Sequence, residues 1–268
     1  MKPLIIDSWD KVQELEINQA SGPPNGGILH IFRGQGDSRW GLKPSLTRLL
    51  NTMGLIDPNN KKQVAKAVKA EQQSINTFQI AQPMPADLRE WIFWWAVAQH
   101  YGGVTRVLDW SGRPGVAVYF AVSQLPDRDG AVFELTQKAL VQDMSNRADP
   151  LHGVYNSDHT DRGWKKFQRI FRLGDPLAMH VCTTQGTPMR MKVQQGYFTS
   201  CTNILEDHER VIQSKHPLAM RKYIVPRQAK ARLLREACLR GVSGPALFSD
   251  SSEKAGYAQR DEIILRYR

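Results

Sequence analysis

The sequence predicts an α+β fold, in which short strands form a sheet and helices pack against it. Residues 27–33 and 130–136 begin at glycine and are rich in β-branched and large apolar side chains, which is typical of buried strands. Residues 61–82 carry apolar side chains three and four positions apart, which predicts an amphipathic helix. Residues 99–121 combine both patterns, because a buried strand there runs into a helix that opens at Pro114.

Further strands and helices are expected on either side of these elements. The chain has no internal repeat and no long polar linker, so residues 1–268 are expected to form one domain, with 1–26 as an N-terminal extension. The basic side chains of the last predicted helix, Lys230 among them, are expected to form a solvated surface. The further elements expected on either side are strands at 4–6, 191–200, 222–226 and 261–267, a helix from Asp7 or Ser8, and a helix at 227–240.

Composition excludes several classes of protein. Hydrophobic residues make up 41% of the chain, as in ordinary globular proteins, and no apolar run approaches the roughly 20 residues that span a bilayer. The acidic N-terminal stretch lacks a secretory cleavage site. Cys182, Cys201 and Cys238 are odd in number and far apart, which argues against disulfides and a structural zinc and favours the cytoplasm. The glycine loops and HExxH or GxSxG motifs of common enzyme sites are missing, so no metal is expected.

The charge balance points to a polyanionic partner. The chain has 36 Lys and Arg residues against 26 Asp and Glu, a net charge of +10, and the excess is spread through the sequence rather than held in a tail. Such an excess favours RNA, DNA or an acidic protein as partner. The alternative, that the protein is basic and binds no polyanion, stays open at this point.

Residues 162–172 interleave basic and aromatic side chains. Cations neutralise phosphates and aromatic rings stack on bases, so this segment is a candidate for binding nucleic acid. An amphipathic helix with its aromatic side chains in the core would show the same pattern. The candidate contacts are Lys165, Lys166, Arg169 and Arg172.

Two charged residues stand at positions where burial is expected. Arg33 ends the predicted strand 27–33, before a turn predicted at residues 34–37. Its planar guanidinium suits a phosphate or carboxylate, and a structural ion pair is the alternative. Glu71 interrupts the apolar stripe of helix 61–82, and a buried carboxylate needs a partner. Either Glu71 pairs with a buried arginine, for which Arg33, Arg48 and Arg106 are candidates, or it lines a site.

The strand-to-helix junction within residues 99–121 carries Asp109, Trp110 and Ser111. A polar turn at this point can hold a ligand against the start of a helix, and the three side chains are then expected to face Arg33. Gln194 and Gln195 precede Gly196 within the predicted strand 191–200, where glycine permits close approach of a backbone.

Four separated blocks of the sequence resemble the FRG-domain family. Residues 31–48 contain Phe32-Arg33-Gly34, the motif after which the family is named, and residues 99–121 resemble its second block. Glu71 with Phe78, and VQQGYFTS at residues 193–200, resemble two further blocks. The resemblance covers about residues 27–250. The chain departs from the family at Gly103-Val104, where Leu-Pro is usual, and at residues 248–252.

This resemblance implies a more distant one to ADP-ribosyltransferases. Those enzymes hold NAD as substrate in a split mixed sheet, so a split mixed or antiparallel sheet with flanking helices is implied here. Some FRG-domain proteins are similar to toxins of antiphage toxin–antitoxin modules that modify RNA. The resemblance therefore implies an NAD-dependent enzyme acting on nucleic acid, with RNA favoured and an antitoxin protein as a possible partner. A non-catalytic nucleic-acid-binding module and a protein-interaction module are the alternatives.

The resemblance also assigns site residues. Transfer of ADP-ribose needs a clamp for phosphates, a platform for nicotinamide and an acid that stabilises a cationic ribose. The candidate catalytic residues are Glu71, Asp109 and Gln195. Tyr101, Trp110 and Tyr119 are the candidate platforms, and Arg33 is the candidate clamp. The full set expected to bind NAD is Arg33, Gly34, Gln35, Tyr101, Thr105, Trp110, Ser111 and Tyr119.

Overall fold

A computed structural model describes residues 4–20, 30–81, 95, 97–99, 101–136, 178–182, 193–248 and 261–262. Its strands form one sheet and its helices flank that sheet. The strands are β1 (Leu4–Ile5), β2 (His30–Gln35), β3 (Val107–Ser111), β4 (Gly130–Thr136), β5 (Ala178–Cys182), β6 (Gly196–Cys201) and β7 (Met220–Val225). The main helices are α1 (Trp9–Ala20), α2 (Ser45–Thr52), α3 (Lys61–Ala81), α4 (Pro114–Val122), α5 (His208–Lys215), α6 (Arg227–Leu239) and α7 (Gly244–Leu247).

The sheet has seven strands in the order β1-β7-β4-β2-β3-β6-β5. β1 pairs with β7 in parallel, and the other neighbours are antiparallel, so the sheet is mixed. The predicted α+β class, with a mixed sheet and flanking helices, is therefore confirmed. Within the described residues, no helix is both long enough and apolar enough to cross a membrane.

The sheet buries apolar side chains on both of its faces. Along β4, Val132 lies on one face, in a core shared with α1, α4 and α6. Phe133 and Leu135 lie on the opposite face, in a core shared with α5 and Leu42. Alternation of period two thus supplies two cores, as expected for a strand covered on both sides.

The pairing between β2 and β3 is far shorter than the pairing of either strand with its other neighbour. β2 pairs with β4 over six residues and β3 pairs with β6 over five, whereas β2 and β3 are paired only at Phe32 and Ser111. Beyond that pair the two strands no longer form a ladder. The sheet is therefore split between β2 and β3.

Glycine at position 34 lets α4 pack directly on β2. A Cβ atom built at Gly34 would lie 1.8 Å from the carbonyl oxygen of Ala117 and 2.8 Å from the backbone nitrogen of Ala121. Real Cβ atoms do not approach backbone so closely, so no larger residue fits without moving the helix. Gly34 thereby sets the distance between α4 and the strand beside the split.

Two predicted turns are strands in the structure. β2 continues through Gly34 and Gln35, which pair with Val132 and Ala131 of β4, because the ladder overrides the turn preference of glycine. β3 likewise extends through Asp109-Trp110-Ser111, and the chain turns at residues 112–113. Arg33 therefore lies within β2 rather than at its end.

Three other expectations are wrong in detail. Gln194 and Gln195 precede β6 instead of lying within it. Asp261 and Glu262 are helical, where a strand was expected. Lys230 is 1% exposed rather than solvated, because its Nζ donates to the backbone carbonyls of residues 36, 124 and 125 at 2.8–3.0 Å. The predicted basic segment 162–172 lies outside the described residues.

A buried ion pair joins α3 to the sheet. Glu71 is 5% exposed and Arg106 2% exposed. Arg106 donates through both Nε and Nη2 to the two carboxylate oxygens of Glu71, with Nε to Oε1 at 2.7 Å. Its Nη1 donates to the carbonyls of Cys201 and Thr202, and its guanidinium stacks 5.0 Å from the ring centroid of Trp95. The predicted pairing of Glu71 with a buried arginine is confirmed, and that arginine is Arg106.

We expect Glu71→Gln to lower the free energy of unfolding by about 3–5 kcal/mol, because the buried guanidinium of Arg106 loses its compensating charge. Urea denaturation measures this change. Glu14→Gln, on the exposed face of α1, is the matched control and should cost less than about 0.5 kcal/mol. Equal losses in the two variants would show that the pair does not stabilise the fold.

Candidate functional site

A cavity of about 770 Å³ lies at the split between β2 and β3. Its walls come from β2, β3, the first two turns of α4, and the segment that joins β2 to α2. Its volume falls in the range of roughly 300–1,000 Å³ that small-molecule sites occupy. The place where the ladder is interrupted is thus also a cleft large enough for a ligand.

Arg33 forms a hydrogen bond across the split, and a second nitrogen of its guanidinium forms none within the described residues. Its Nη1 donates to the backbone carbonyl of Asp109 at 2.7 Å, while its buried Nε has no hydrogen-bond partner among the described residues. Burial lowers the pKa of Arg33, an effect that the carboxylate of Asp109 opposes and the charge of Arg48 increases. Because a guanidinium stays protonated in proteins, the lowered pKa reflects the cost of burying it. An anion bound in the cleft would offset that cost.

The cavity lining is strongly basic. Four cationic side chains line it, and among the described residues the one carboxylate in the lining is that of Asp109. A concave site with this excess concentrates anions, and guanidinium groups bind phosphate through two parallel hydrogen bonds. The cations are Arg33, Arg39, Lys43 and Arg48.

Aromatic residues also line the cavity, and one of them, Trp110, is held by a buried chain of hydrogen bonds. Trp110 donates from its indole nitrogen to Oγ1 of Thr199 at 2.9 Å, and that oxygen lies 3.0 Å from Nδ1 of His208. Since indole only donates, the Thr199 oxygen accepts from Trp110, and the same hydroxyl group forms the hydrogen bond with His208. Burial, with the charges of Arg33 and Arg106, lowers the pKa of His208 to about 3. The other aromatic side chains in the lining are Phe32, Trp40, Phe120 and Phe198.

The turn after β3 is tied to the segment before β6. Ser111 donates from Oγ to the carbonyl of Gln194 at 2.5 Å and accepts from the backbone N–H of Arg113 at 2.9 Å. The N–H of Gly112 donates to the carbonyl of Gln195 at 2.9 Å. Ser111 therefore fixes backbone at the end of the cavity.

The structure brings together six of the residues assigned to NAD binding and catalysis. Asp109, Trp110 and Ser111 of the predicted junction line the same cavity as Arg33. These six residues are Arg33, Gly34, Gln35, Asp109, Trp110 and Ser111.

Five assigned residues do not line the cavity. Glu71 is held by Arg106, as described above. Thr105 is buried and bonded to Gln99 and to Ser45 of α2, so it anchors two elements instead. Tyr119 is fully buried, and its hydroxyl donates to Asp261 at 3.0 Å. The remaining two are Tyr101 and Gln195.

Tyr101 and Gln195 lie on the surface of the described structure. Tyr101 is 62% exposed, and its ring centroid lies 6.3 Å from that of Phe78. Gln195 is exposed and has a positive φ of 45°. Its neighbour Gln194 lines the cavity and donates from its side chain to the carbonyl of Leu247 at 3.1 Å. The candidate nucleic-acid contacts Lys165, Lys166, Arg169 and Arg172 lie outside the described residues.

The sequence did not single out one side of the cavity. Arg39, Trp40, Lys43 and Arg48, which we call the rim, lie on the segment after β2 and on the first turn of α2. The available signal was the density of basic residues around Trp40, close behind the Phe-Arg-Gly motif. Thr199 and His208 were also missed, because only the fold brings them beneath Trp110.

The depressed pKa of His208 predicts an acid-sensitive stability. The unfolded chain binds a proton here near pH 6.5 and the folded chain only near pH 3, so stability falls as the pH drops below about 6.5. The loss should approach about 2 kcal/mol at pH 5. His208→Asn, which keeps a hydrogen-bonding group near Nδ1, should show a stability less dependent on pH by that amount in urea titrations at pH 7 and pH 5. Parallel curves for both proteins would contradict this.

Comparison with known proteins identifies the stretch that carries the cavity. No curated protein and no solved structure matches the chain. A family model, that of the FRG domain, matches residues 29–130. This stretch contains β2, the rim, β3 and α4, which together form most of the cavity wall. The resemblance of the sequence to the FRG-domain family is thus confirmed over residues 29–130.

Proposed function

We propose that this protein is an NAD-dependent ADP-ribosyltransferase that modifies nucleic acid, with RNA as the favoured acceptor. The observation that carries the proposal is the position of Arg33 in the split of the sheet, where its buried Nε has no hydrogen-bond partner within the part of the chain that the structure describes. The surrounding wall combines cations with aromatic rings. NAD offers the matching chemistry, since it joins two planar bases through a diphosphate.

Side chains of the cavity suit distinct parts of NAD. Arg33 can bind the diphosphate through its unpartnered nitrogen and so relieve the cost of its own burial. Trp110 is 2% exposed, so it forms a rigid part of the cavity wall, held by Thr199 and His208, rather than an open stacking surface. A wall fixed in this way loses little conformational entropy when a ligand packs against it.

Asp109 is the best candidate for the catalytic acid. It is the one carboxylate among the described residues that line the cavity, since Glu71 is neutralised by Arg106. In the proposed reaction, the acceptor attacks C1′ of the nicotinamide-bearing ribose and the carbon–nitrogen bond to nicotinamide breaks. The carboxylate stabilises the positive charge that develops on the ribose, and the acceptor's proton passes to it or to water.

A role as a toxin in phage defence is part of the proposal and rests on the family resemblance. Enzymatic modification of cellular RNA would arrest growth. Induced synthesis of the wild-type protein in bacteria should then stop growth, whereas Asp109→Asn should not. Equal arrest by both proteins would separate toxicity from ADP-ribosyl transfer.

We expect Arg33→Lys to weaken NAD binding about 10- to 100-fold, because lysine keeps the charge and loses the fixed fork of donors. Isothermal titration calorimetry with NAD measures this change in affinity. Arg235→Lys, on the exposed face of α6, is the matched control and should bind as the wild type does. If the wild-type protein binds no NAD, or if both variants bind it equally well, the cleft is not its site.

Asp109→Asn should lower transfer of label from NAD to RNA at least about 100-fold while NAD affinity changes less than about threefold, because the carboxylate acts on charge that develops during the reaction. Incubation of labelled NAD with RNA, DNA and protein, each alone, identifies the acceptor. Asp10→Asn, exposed on α1, is the control. Absence of transfer to any acceptor by the wild-type protein would rule out the enzyme.

The small number of carboxylates in the cavity lining favours one alternative, a nucleic-acid-binding module without catalysis. Just one acid lines the described cavity, and Gln194, which also lines it, carries no charge. This alternative predicts RNA binding that weakens steeply with salt and that NAD does not change. Labelling from NAD, as measured above, separates the two functions.

A further inference from the structure

The rim of the cavity, formed by Arg39, Trp40, Lys43 and Arg48, combines exposed cations with an exposed aromatic ring. The side chain of Arg39 is 71% exposed, Arg48 is exposed and Lys43 is half-buried. All four residues also line the cavity, so the rim is continuous with the proposed NAD site. A ligand lying on the rim would have one end at the cleft.

The charge of the rim is not cancelled by the acids beside it. Asp37 is buried and accepts from Nε of Arg39 at 3.0 Å, from Nη2 of Arg39 at 2.7 Å and from Nη1 of Arg128 at 2.7 Å. Its hydrogen bonds to Arg39, and then to Arg128, hold the pKa of Asp37 well below the usual range. One carboxylate thus faces two guanidinium groups. Within the described residues, neither Lys43 nor Arg48 has an ion pair.

The backbone of the rim is fixed, so its cations are held in place before a ligand arrives. Asp37 also accepts from the backbone N–H of Arg39 at 2.9 Å. Gln35 donates from its side chain to the carbonyl of Trp40 at 3.2 Å, and Arg48 donates to the carbonyl of Lys43 at 2.6 Å. A preordered surface loses less entropy on binding than a flexible one.

Trp40 differs from the other tryptophans of the described structure. Trp9, Trp95 and Trp110 are at most 6% exposed, whereas Trp40 is 45% exposed at the mouth of the cavity. An indole that contributes little to the core and stands among cations suits base stacking, which binds single strands without regard to sequence.

We infer that the rim binds single-stranded nucleic acid and leads one nucleotide to the cleft. Cations spaced along a surface neutralise successive phosphates, and the exposed indole stacks on a base. A single strand is required, because a base within a duplex cannot enter a cleft unless it leaves the stack. Binding to the rim is independent of catalysis, and the role of the bound strand as acceptor rests on the proposed function.

The test is binding of a fluorescently labelled RNA of about twelve nucleotides, without NAD, over a range of salt concentrations. The rim variant carries Arg39→Gln, Lys43→Gln and Arg48→Gln. The matched control carries Lys62→Gln, Lys66→Gln and Lys69→Gln, which remove the same charge from the exposed face of α3. Thermal unfolding of each variant establishes that it is folded.

We expect the rim variant to bind RNA at least about tenfold more weakly and its slope of log affinity against log salt to fall by about 2, since each lost phosphate contact contributes about 0.7. The control should lose less than about threefold. Equal losses in both variants would overturn the inference, because the protein would then attract RNA by net charge alone.

Trp40→Ala tests the stacking. It should weaken binding of the single strand by a factor between about 5 and about 100, and Trp40→Phe should restore most of the lost affinity. DNA of the same sequence and an RNA duplex are the comparison ligands. The inference fails if the duplex binds as tightly as the single strand, or if Trp40→Ala binds as the wild type does.

Failure of the rim and failure of the proposed function give different results. A protein that binds RNA through the rim and transfers no label from NAD contradicts the enzyme and leaves the rim intact. A protein that transfers label to RNA, and whose rim variant keeps its RNA affinity, contradicts the rim alone. A rim variant that loses NAD affinity as strongly as RNA affinity would show that these cations belong to the NAD site instead.

Discussion

The interruption of pairing between β2 and β3 is the constraint on which the site depends. After Phe32 and Ser111 the two strands no longer exchange backbone hydrogen bonds, and the carbonyl of Asp109 accepts from the side chain of Arg33 instead. The guanidinium thus supplies a hydrogen bond to β3 in place of a neighbouring strand, and the cleft stays open. Gly34 allows α4 to form a wall of the same cleft. Three consecutive residues of β2 thus set the site: pairing stops at Phe32, Arg33 supplies the cation, and Gly34 admits the wall formed by α4.

The buried Arg106 and the half-buried Arg33 show the difference between a structural charge and a group available to a ligand. Arg106 uses Nε, Nη1 and Nη2 on Glu71 and on two carbonyls, and its plane stacks on Trp95. Within the described residues, the side chain of Arg33 makes one hydrogen bond, to the carbonyl of Asp109, and its buried Nε has no partner. Since a buried donor without a partner costs free energy, such a group persists most readily where a ligand completes it. This contrast favours Arg33 over Glu71 as a binding residue.

Local patterns predicted most of the described helices and strands to within a few residues, and they predicted that Asp109, Trp110 and Ser111 lie near Arg33, with which they share a cavity. Apolar periodicity is a property of neighbouring residues, and it reports which face of an element is buried. It does not report the partner across the fold. Gln35 was therefore read as part of a turn, although its pairing with β4 makes it a strand residue, and Lys230 was read as exposed, although carbonyls from three distant positions surround its ammonium group.

The sequence by itself determined the fold class, the position of the strand-to-helix junction and the need for Glu71 to have a partner, because each follows from residues close together in the chain. Tertiary structure decided that the partner of Glu71 is Arg106, that Tyr119 belongs to the core and that the rim shares a cavity with Arg33. These outcomes depend on contacts between residues far apart in sequence. Which buried charge is paired and which is left for a ligand is set by the geometry of those contacts.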